Sequence, residues 1–137
     1  QEAGATCRIV GANLGSVATA SGQQFAVDHT FCTVSSVMFD AVLVPGGASA
    51  QVLTGNGDAV HFVLEAYRHC KTIGVIGEGV QLLRTLGVGA DEGGAPPPGV
   101  VLGRNDPPSR AQLAQEFMAA LAKHRHWGRT NLDAVPA

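Results

Sequence analysis

The sequence predicts an α/β fold built on a mostly parallel sheet. Two apolar runs, residues 40–44 (DAVLV) and 72–76 (TIGVI), each stop at a glycine-containing turn, as parallel strands buried on both faces do. Amphipathic helical stripes follow them. The resulting order, strand, helix, strand, helix, strand, helix, is the α/β pattern. A chain of 137 residues suits one domain with one modest core. Its 45% hydrophobic and 15% charged residues exclude a disordered chain.

Residues 5–11 (ATCRIVG) read as a strand, Cys7 and Ile9 alternating with Thr6, Arg8 and Val10. Residues 16–20 and 23–27 are short and β-leaning, and Ser21-Gly22 between them suits a tight hairpin. Residues 30–34 read as another short extended piece. After the strand at 40–44 and Pro45-Gly46-Gly47, Asp58 is a candidate cap for a helix to about Cys70. Val60, Val63, Leu64 and Tyr67 form its apolar stripe, and His69 and Lys71 lie where positive charge suits the helix dipole. The strand at 72–76 leads through Gly77-Glu78-Gly79 into a short helix over 80–86 that Gly87 ends. Residues 93–99, with Pro96-Pro97-Pro98, read as a loop, and 100–102 as a short strand. Ser109 and Gln112 read as a capping box for a helix to about His124, lined by Leu113, Phe117 and Leu121. Residues 125–137 read as an irregular tail. No repeat and no boundary divides residues 1–137.

The turn at 76–79 is the most informative place for chemistry. A buried strand running into a helix through Gly-x-Gly exposes its central side chain above the sheet, where hydrolases and amidotransferases put Ser or Cys. Here the residues are Gly77, Glu78 and Gly79. Glycine has no side chain to attack with, and Glu78 needs an acid/base partner. The plain reading is a tight turn with an acidic residue and no catalytic group. Cys7, Cys32 and Cys70 form no C-x-x-C pair, so reduced, buried and inert thiols in a cytosol-like compartment are expected. Cys32 lies near His29 in sequence. Among the histidines, His61 and His69 lie eight apart without an evident third ligand, and His124 and His126 point to different sides, so no metal site is expected. Gly55-x-Gly57 lacks the Lys-Ser/Thr of a phosphate loop and the third Gly of a dinucleotide site. A net charge of −2 gives no case for nucleic acid or an anionic membrane, and no apolar run is long enough to cross a bilayer.

Phe39-Asp40-Ala41-Val42-Leu43-Val44-Pro45-Gly46-Gly47 and Glu65-Ala66-Tyr67-Arg68-His69-Cys70-Lys71-Thr72-Ile73 together resemble the glutamine-amidotransferase-like (PfpI-like) fold. The last stretch, Ala122-Lys123-His124-Arg125-His126-Trp127-Gly128-Arg129 followed by Val135-Pro136-Ala137, resembles the extreme C-terminus of large-subunit haem catalases, which carry such a domain after the catalase core. The resemblance covers nearly the whole chain. It implies a flavodoxin-like three-layer sandwich. In the wider superfamily a cysteine follows the second buried strand; Gly77 stands at that position. The resemblance also implies that haem and its ligands belong to the core domain, leaving no catalytic, cofactor or metal residue here.

One departure matters. In the family a strand and helix precede the stretch that matches residues 5–11, and that first strand lies centrally in the sheet. This chain starts at Gln1 without such a unit. The expectation is therefore an N-terminally truncated segment, with residues 5–11 and 40–44 flanking an empty slot. Direct pairing of those two stretches would contradict it. The favoured function is the non-catalytic C-terminal domain of a haem catalase that converts hydrogen peroxide to water and oxygen. The parent is expected to be a cytoplasmic homotetramer serving the oxidative stress response. The domain's partners would be the core and the tetramer, and its role stabilisation, assembly or chaperone-like protection. Two alternatives stand beside it. A free-standing PfpI-like hydrolase, glyoxalase or deglycase needs an elbow thiol and a nearby acid. A flavodoxin-like interaction module would bind a nucleotide or a partner protein.

Overall fold

The computed structural model describes residues 4–88, 94–130 and 132. It divides into two compact units, Gln1–Ser35 and Ser36–Ala137.

The first unit holds β1 (Val10–Gly11), β2 (Gly15–Ala18), β3 (Gln24–Val27) and β4 (His29–Thr30). β1 pairs with β4 in parallel, and β2 with β3 as an antiparallel hairpin. The strand expected over 5–11 is confined to Val10–Gly11. The Asp28 carboxylate accepts the Ile9 N–H at 2.7 Å and an Arg8 N–H at 3.4 Å, so a side chain takes the Ile9 donor while its carbonyl accepts the Asp28 and His29 N–H groups at 2.8 and 3.2 Å. The Ile9 amide chiefly holds the Asp28 carboxyl below its usual 3.8. Residues 30–34 likewise leave the extended state after Thr30. The Thr33 hydroxyl accepts the Thr30 N–H at 3.0 Å and closes a turn. Cys7 and Cys32 are exposed, which corrects the expectation of three buried thiols; Cys70 alone is buried.

The second unit runs from a 3-10 turn at Ser36–Met38 through β5 (Ala41–Val44), α1 (Ala48–Thr54), α2 (Gly57–Arg68), β6 (Thr72–Ile76), a 3-10 turn at Gly77–Gly79, α3 (Val80–Thr85), β7 (Val100–Gly103) and α4 (Pro107–Leu121). The sheet order is β5-β6-β7 and every pairing is parallel, Val42 opposite Ile73 and Ile73 opposite Val100. Side chains alternate across it. Val44, Ile73, Val75 and Val100 form one core with Val63, Leu64 and Tyr67 of α2 and Leu82 and Leu83 of α3. On the other face α4 lies over β6 and β7. Phe117 fills the space above Gly74, where a Cβ would come within 2.8 Å of its ring, and Leu113 does the same above Gly103 at 2.6 Å. Helices thus cover both faces of a parallel sheet.

β5 departs from expectation. Leu43 is 51% exposed, so the strand is not buried on both faces. Like β7 it is an edge of the three, and no strand bonds its outer side among the described residues. Residues 5–11 are not paired to it; β1 bonds β4 instead.

The helix limits also move. α1 was not foreseen. Asn56, not Asp58, caps α2, accepting the Ala59 N–H at 3.0 Å. Asp106, not Ser109, caps α4, accepting the Ser109 N–H at 3.0 Å with prolines at the first helical positions. Ser109 instead accepts the Arg104 N–H, and Gln112 bonds Glu116. α3 ends as predicted, Gly87 taking φ 66 while Val88 N–H reaches the Leu83 carbonyl. α2 closes the same way with a non-glycine residue: Cys70 has φ 56, and Lys71 N–H reaches the Ala66 carbonyl.

The tail beyond α4 is irregular yet anchored. The Arg129 guanidinium is buried and donates to three main-chain carbonyls: Pro98 at 2.8 Å, Tyr67 at 2.7 Å and Lys71 at 2.5 Å. It also stacks 4.4 Å over the Tyr67 ring. His126 donates its amide to the Cys70 carbonyl at 2.8 Å, and its Nε2 lies 2.9 Å from the Thr72 hydroxyl. Its ring occupies the place a side chain at Gly99 would take. Lys71, placed by its sequence near the α2 dipole, is instead buried, its ammonium donating to the Val37 carbonyl at 2.7 Å and to that of Phe39.

Truncating Arg129 to Ala leaves the Pro98 and Lys71 carbonyls without this donor, while the Tyr67 carbonyl keeps the Cys70 N–H at 3.0 Å. At about 1–3 kcal/mol for each buried unsatisfied group, a loss of at least about 2 kcal/mol is expected in urea denaturation. Arg129→Lys should recover part of it. A change within about 0.5 kcal/mol, the range of a neutral surface substitution, would refute the anchor.

His126 makes stability pH-dependent. Burial, reinforced by Arg129 and Lys123, holds its imidazole below the usual 6.5. The unfolded chain then binds the proton more readily, so stability is full above about pH 6.5 and falls as the pH drops through that value. Thermal midpoints measured between pH 8 and 5, on the order of the window this principle sets, should show that fall, and His126→Gln should lack that component.

Candidate functional site

The C-terminal ends of parallel strands are where open α/β sheets bind ligands. Two loops meet there. Pro45-Gly46-Gly47 leaves β5, and Gly77–Gly79 leaves β6. Their contact is close enough to require glycine. A Cβ on Gly46 would lie 2.7 Å from the Ile76 carbonyl oxygen, and one on Gly79 2.8 Å from that of Pro45.

The elbow predicted from sequence is present in shape. Gly77 has φ 48, the left-handed backbone that a side chain there would have to accept. A Cβ on it would meet Asn105 at 3.4 Å, so space exists while a reactive atom does not. Glu78 turns toward the other loop, and its carboxylate accepts the Gly47 N–H at 2.6 Å. That bond, followed by one from its own amide, holds the Glu78 carboxyl below the usual 4.5. Its stabilising contribution is present above that value and is lost as the pH falls through the lowered one.

One donor and one acceptor of the arrangement are committed to each other. An oxyanion stabiliser needs free N–H donors aimed at developing charge. The Gly47 amide is already spent on Glu78. A general base needs a proton donor within reach, and the Glu78 oxygen that approaches the loop is bonded to a backbone amide.

The remaining candidates disperse. Gly55 ends α1 and Gly57 begins α2, so they form no cradle over a strand end. His69 Nε2 lies 3.4 Å from Glu65, and His124 Nε2 lies 4.0 Å from Asp40. His61 is exposed on α2. His126 is committed to Thr72. No group of three His, Cys, Asp or Glu able to hold a metal occurs among the described residues. Sequence reasoning missed Arg129 and His126 as anchors. A basic residue three positions after a histidine in a polar tail carries no periodic signal.

The profile of a family described as the C-terminal domain found in long catalases matches residues 1–131. Catalase HPII of Mycobacterium avium is 44% identical over 131 residues, covering 90% of this chain and 18% of that protein. Catalase-2 of Bacillus subtilis is 40% identical over 129 residues, covering 94% of this chain and 18% of that protein. The chain therefore spans about a fifth of the length of these curated relatives. Among solved structures, a two-domain protein of Anabaena variabilis with DJ-1/ThiJ/PfpI-like and ferritin-like domains superimposes with a TM-score of 0.80, at 18% identity, over 99% of this chain and 45% of the other. A ThiJ/PfpI domain protein of Brachyspira murdochii gives 0.77, at 18% identity, over 89% of this chain and 83% of the other. These likenesses establish the flavodoxin-like fold.

Gly77→Cys supplies the missing thiol and tests whether the elbow is otherwise intact. It should cost about 1–2 kcal/mol for the left-handed backbone. With the Gly47 amide occupied, it should hydrolyse p-nitrophenyl acetate no faster than the unaltered chain. Enzyme-like turnover by this variant would show that the donors remain available.

Proposed function

The chain belongs to the family of C-terminal domains found in long catalases, and we propose that it serves a haem catalase as a non-catalytic domain. The parent decomposes hydrogen peroxide to water and oxygen, two peroxides giving two waters and one dioxygen. Haem and its ligands lie in the core, outside this chain. The domain contributes stability and assembly to a homotetrameric, cytoplasmic enzyme of the oxidative stress response, with the core as its first partner. The observation that carries this reading is the family match across residues 1–131, joined to an elbow whose nucleophile position is Gly77 and whose amide is bonded to Glu78.

The full-length parent and a version lacking this domain separate the two roles. Removal should leave haem absorbance and peroxide turnover per haem unchanged while lowering the thermal midpoint or dissociating the oligomer in sedimentation. Loss of turnover per haem in a core that stays folded and loaded would place chemistry in this domain and overturn the proposal.

A further inference from the structure

The β2–β3 hairpin is amphipathic in a way its own surroundings do not explain. Cross-strand register pairs Val17 with Phe25 and Ser16 with Ala26. Alternation puts Val17, Phe25 and Val27 on one face and Ser16, Ala18, Gln24 and Ala26 on the other. The second face carries only small or polar side chains, Ser16 donating to Gln24 at 2.9 Å. The first face starts buried at Val27, which packs where a side chain on Gly11 would stand. It then emerges: Val17 is 43% and Phe25 40% exposed.

Three features mark this as a surface meant to be covered. A two-stranded sheet is marginal in water by itself. Exposed edge strands are normally protected by Lys, Pro or other charges, yet residues 9–27 contain no Asp, Glu, Lys, Arg or His. Depletion of charge around an aromatic residue is the composition of an interface centre. The hairpin is also held in shape before any partner arrives. Thr19 N–H bonds the Gln23 carbonyl at 2.8 Å, Gln23 N–H bonds the Thr19 hydroxyl at 3.1 Å, and Gly22 turns the tip at φ 83.

We infer that the Val17–Phe25 face is a docking surface for the catalase core of the parent enzyme. This rests on the proposed function. The size of the patch selects the occupant. A pair of side chains falls far short of the roughly 800 Å² per partner that a stable association between separate molecules buries. A tethered partner needs much less, because the linker raises its effective concentration to the order of millimolar. The relatives are more than five times as long as the matched region, since the aligned part covers 18% of each, so a tethered partner of ample size is at hand.

Phe25→p-benzoylphenylalanine in the full-length parent, irradiated and analysed by peptide mass spectrometry, tests this directly. The expected adduct joins residue 25 to a peptide of the core, and the same probe at Ser16 on the polar face gives none. An adduct within residues 1–137 of the same or a second copy, an adduct to the stretch of the parent between its core and residue 1, or no adduct, overturns the inference. Val17→Lys gives a second readout: it should lower the parent's thermal midpoint, whereas Ser16→Lys leaves it in place, and equal effects overturn the inference. The same preparation is assayed for haem and peroxide decomposition. A core adduct in a protein without that activity sinks the catalase reading alone; an active enzyme without a core adduct sinks the docking surface alone.

Discussion

Arg129 and Lys71, two buried cations whose N–H groups go to main-chain carbonyls, hold the strand beginnings of the second unit together. Lys71 reaches back to Val37 and Phe39, just before β5. Arg129 takes the carbonyls of Tyr67 and Lys71, where α2 turns into β6, and of Pro98, just before β7. Burial pushes both groups below their ordinary basicity, yet each keeps donors matched to acceptors. Carbonyls at a helix C-terminus are natural partners for a cation, because the negative end of the dipole lies there. The planar guanidinium suits three diverging acceptors and the Tyr67 face at once, which an ammonium does not. The three strands are tied at their N-terminal ends by residues that no apolar pattern announces.

The opposite end of the sheet is where the fold usually works, and there the same economy closes the site. Gly46 and Gly79 let two loops approach until no side chain fits between them, and Glu78 spends its carboxylate on the Gly47 amide. The elbow keeps the left-handed Gly77 that the geometry demands. Beside it, the Glu78 carboxylate is bonded to the Gly47 amide.

What the sequence made legible follows from how local each signal is. β6, the α2 stripe, the hairpin and the Gly87 stop were readable because alternation, 3.6-residue spacing and a glycine terminator are local properties. The helix caps slipped by a few residues, since Asn56 and Asp106 compete with Asp58 and Ser109, and only backbone direction chooses between them. α1 was hidden behind Pro45-Gly46-Gly47 in a stretch with no stripe. Strand length at 5–11 and 30–34 failed because Asp28 and Thr33 offer side-chain bonds in place of a ladder. The strand-turn-helix at residues 72–85 was readable from its glycines and flanking apolar runs. The Glu78–Gly47 bond was not, because it spans thirty-one positions. The anchors at His126 and Arg129 are longer-range still.

Beyond the Glu78–Gly47 contact, surface composition is the next informative quantity. Charged residues in the described parts gather on helices and loops, as around Glu65, Arg68 and His69 or Arg104 and Asp106, where exposed pairs add little energy but keep a face in water. The hairpin runs against that trend, with an ordered tip, a bonded polar face and an uncharged apolar one. On the sheet of the second unit, Leu43 of β5 and Leu102 of β7 are also left partly in solvent. A single exposed leucine is ordinary on a folded protein. A paired valine and phenylalanine on a charge-free, preorganised hairpin is not, because each device that would keep such an edge unpaired is missing together. The physical difference between those two exposures is the reason to look for function on the hairpin and not at the sheet edge.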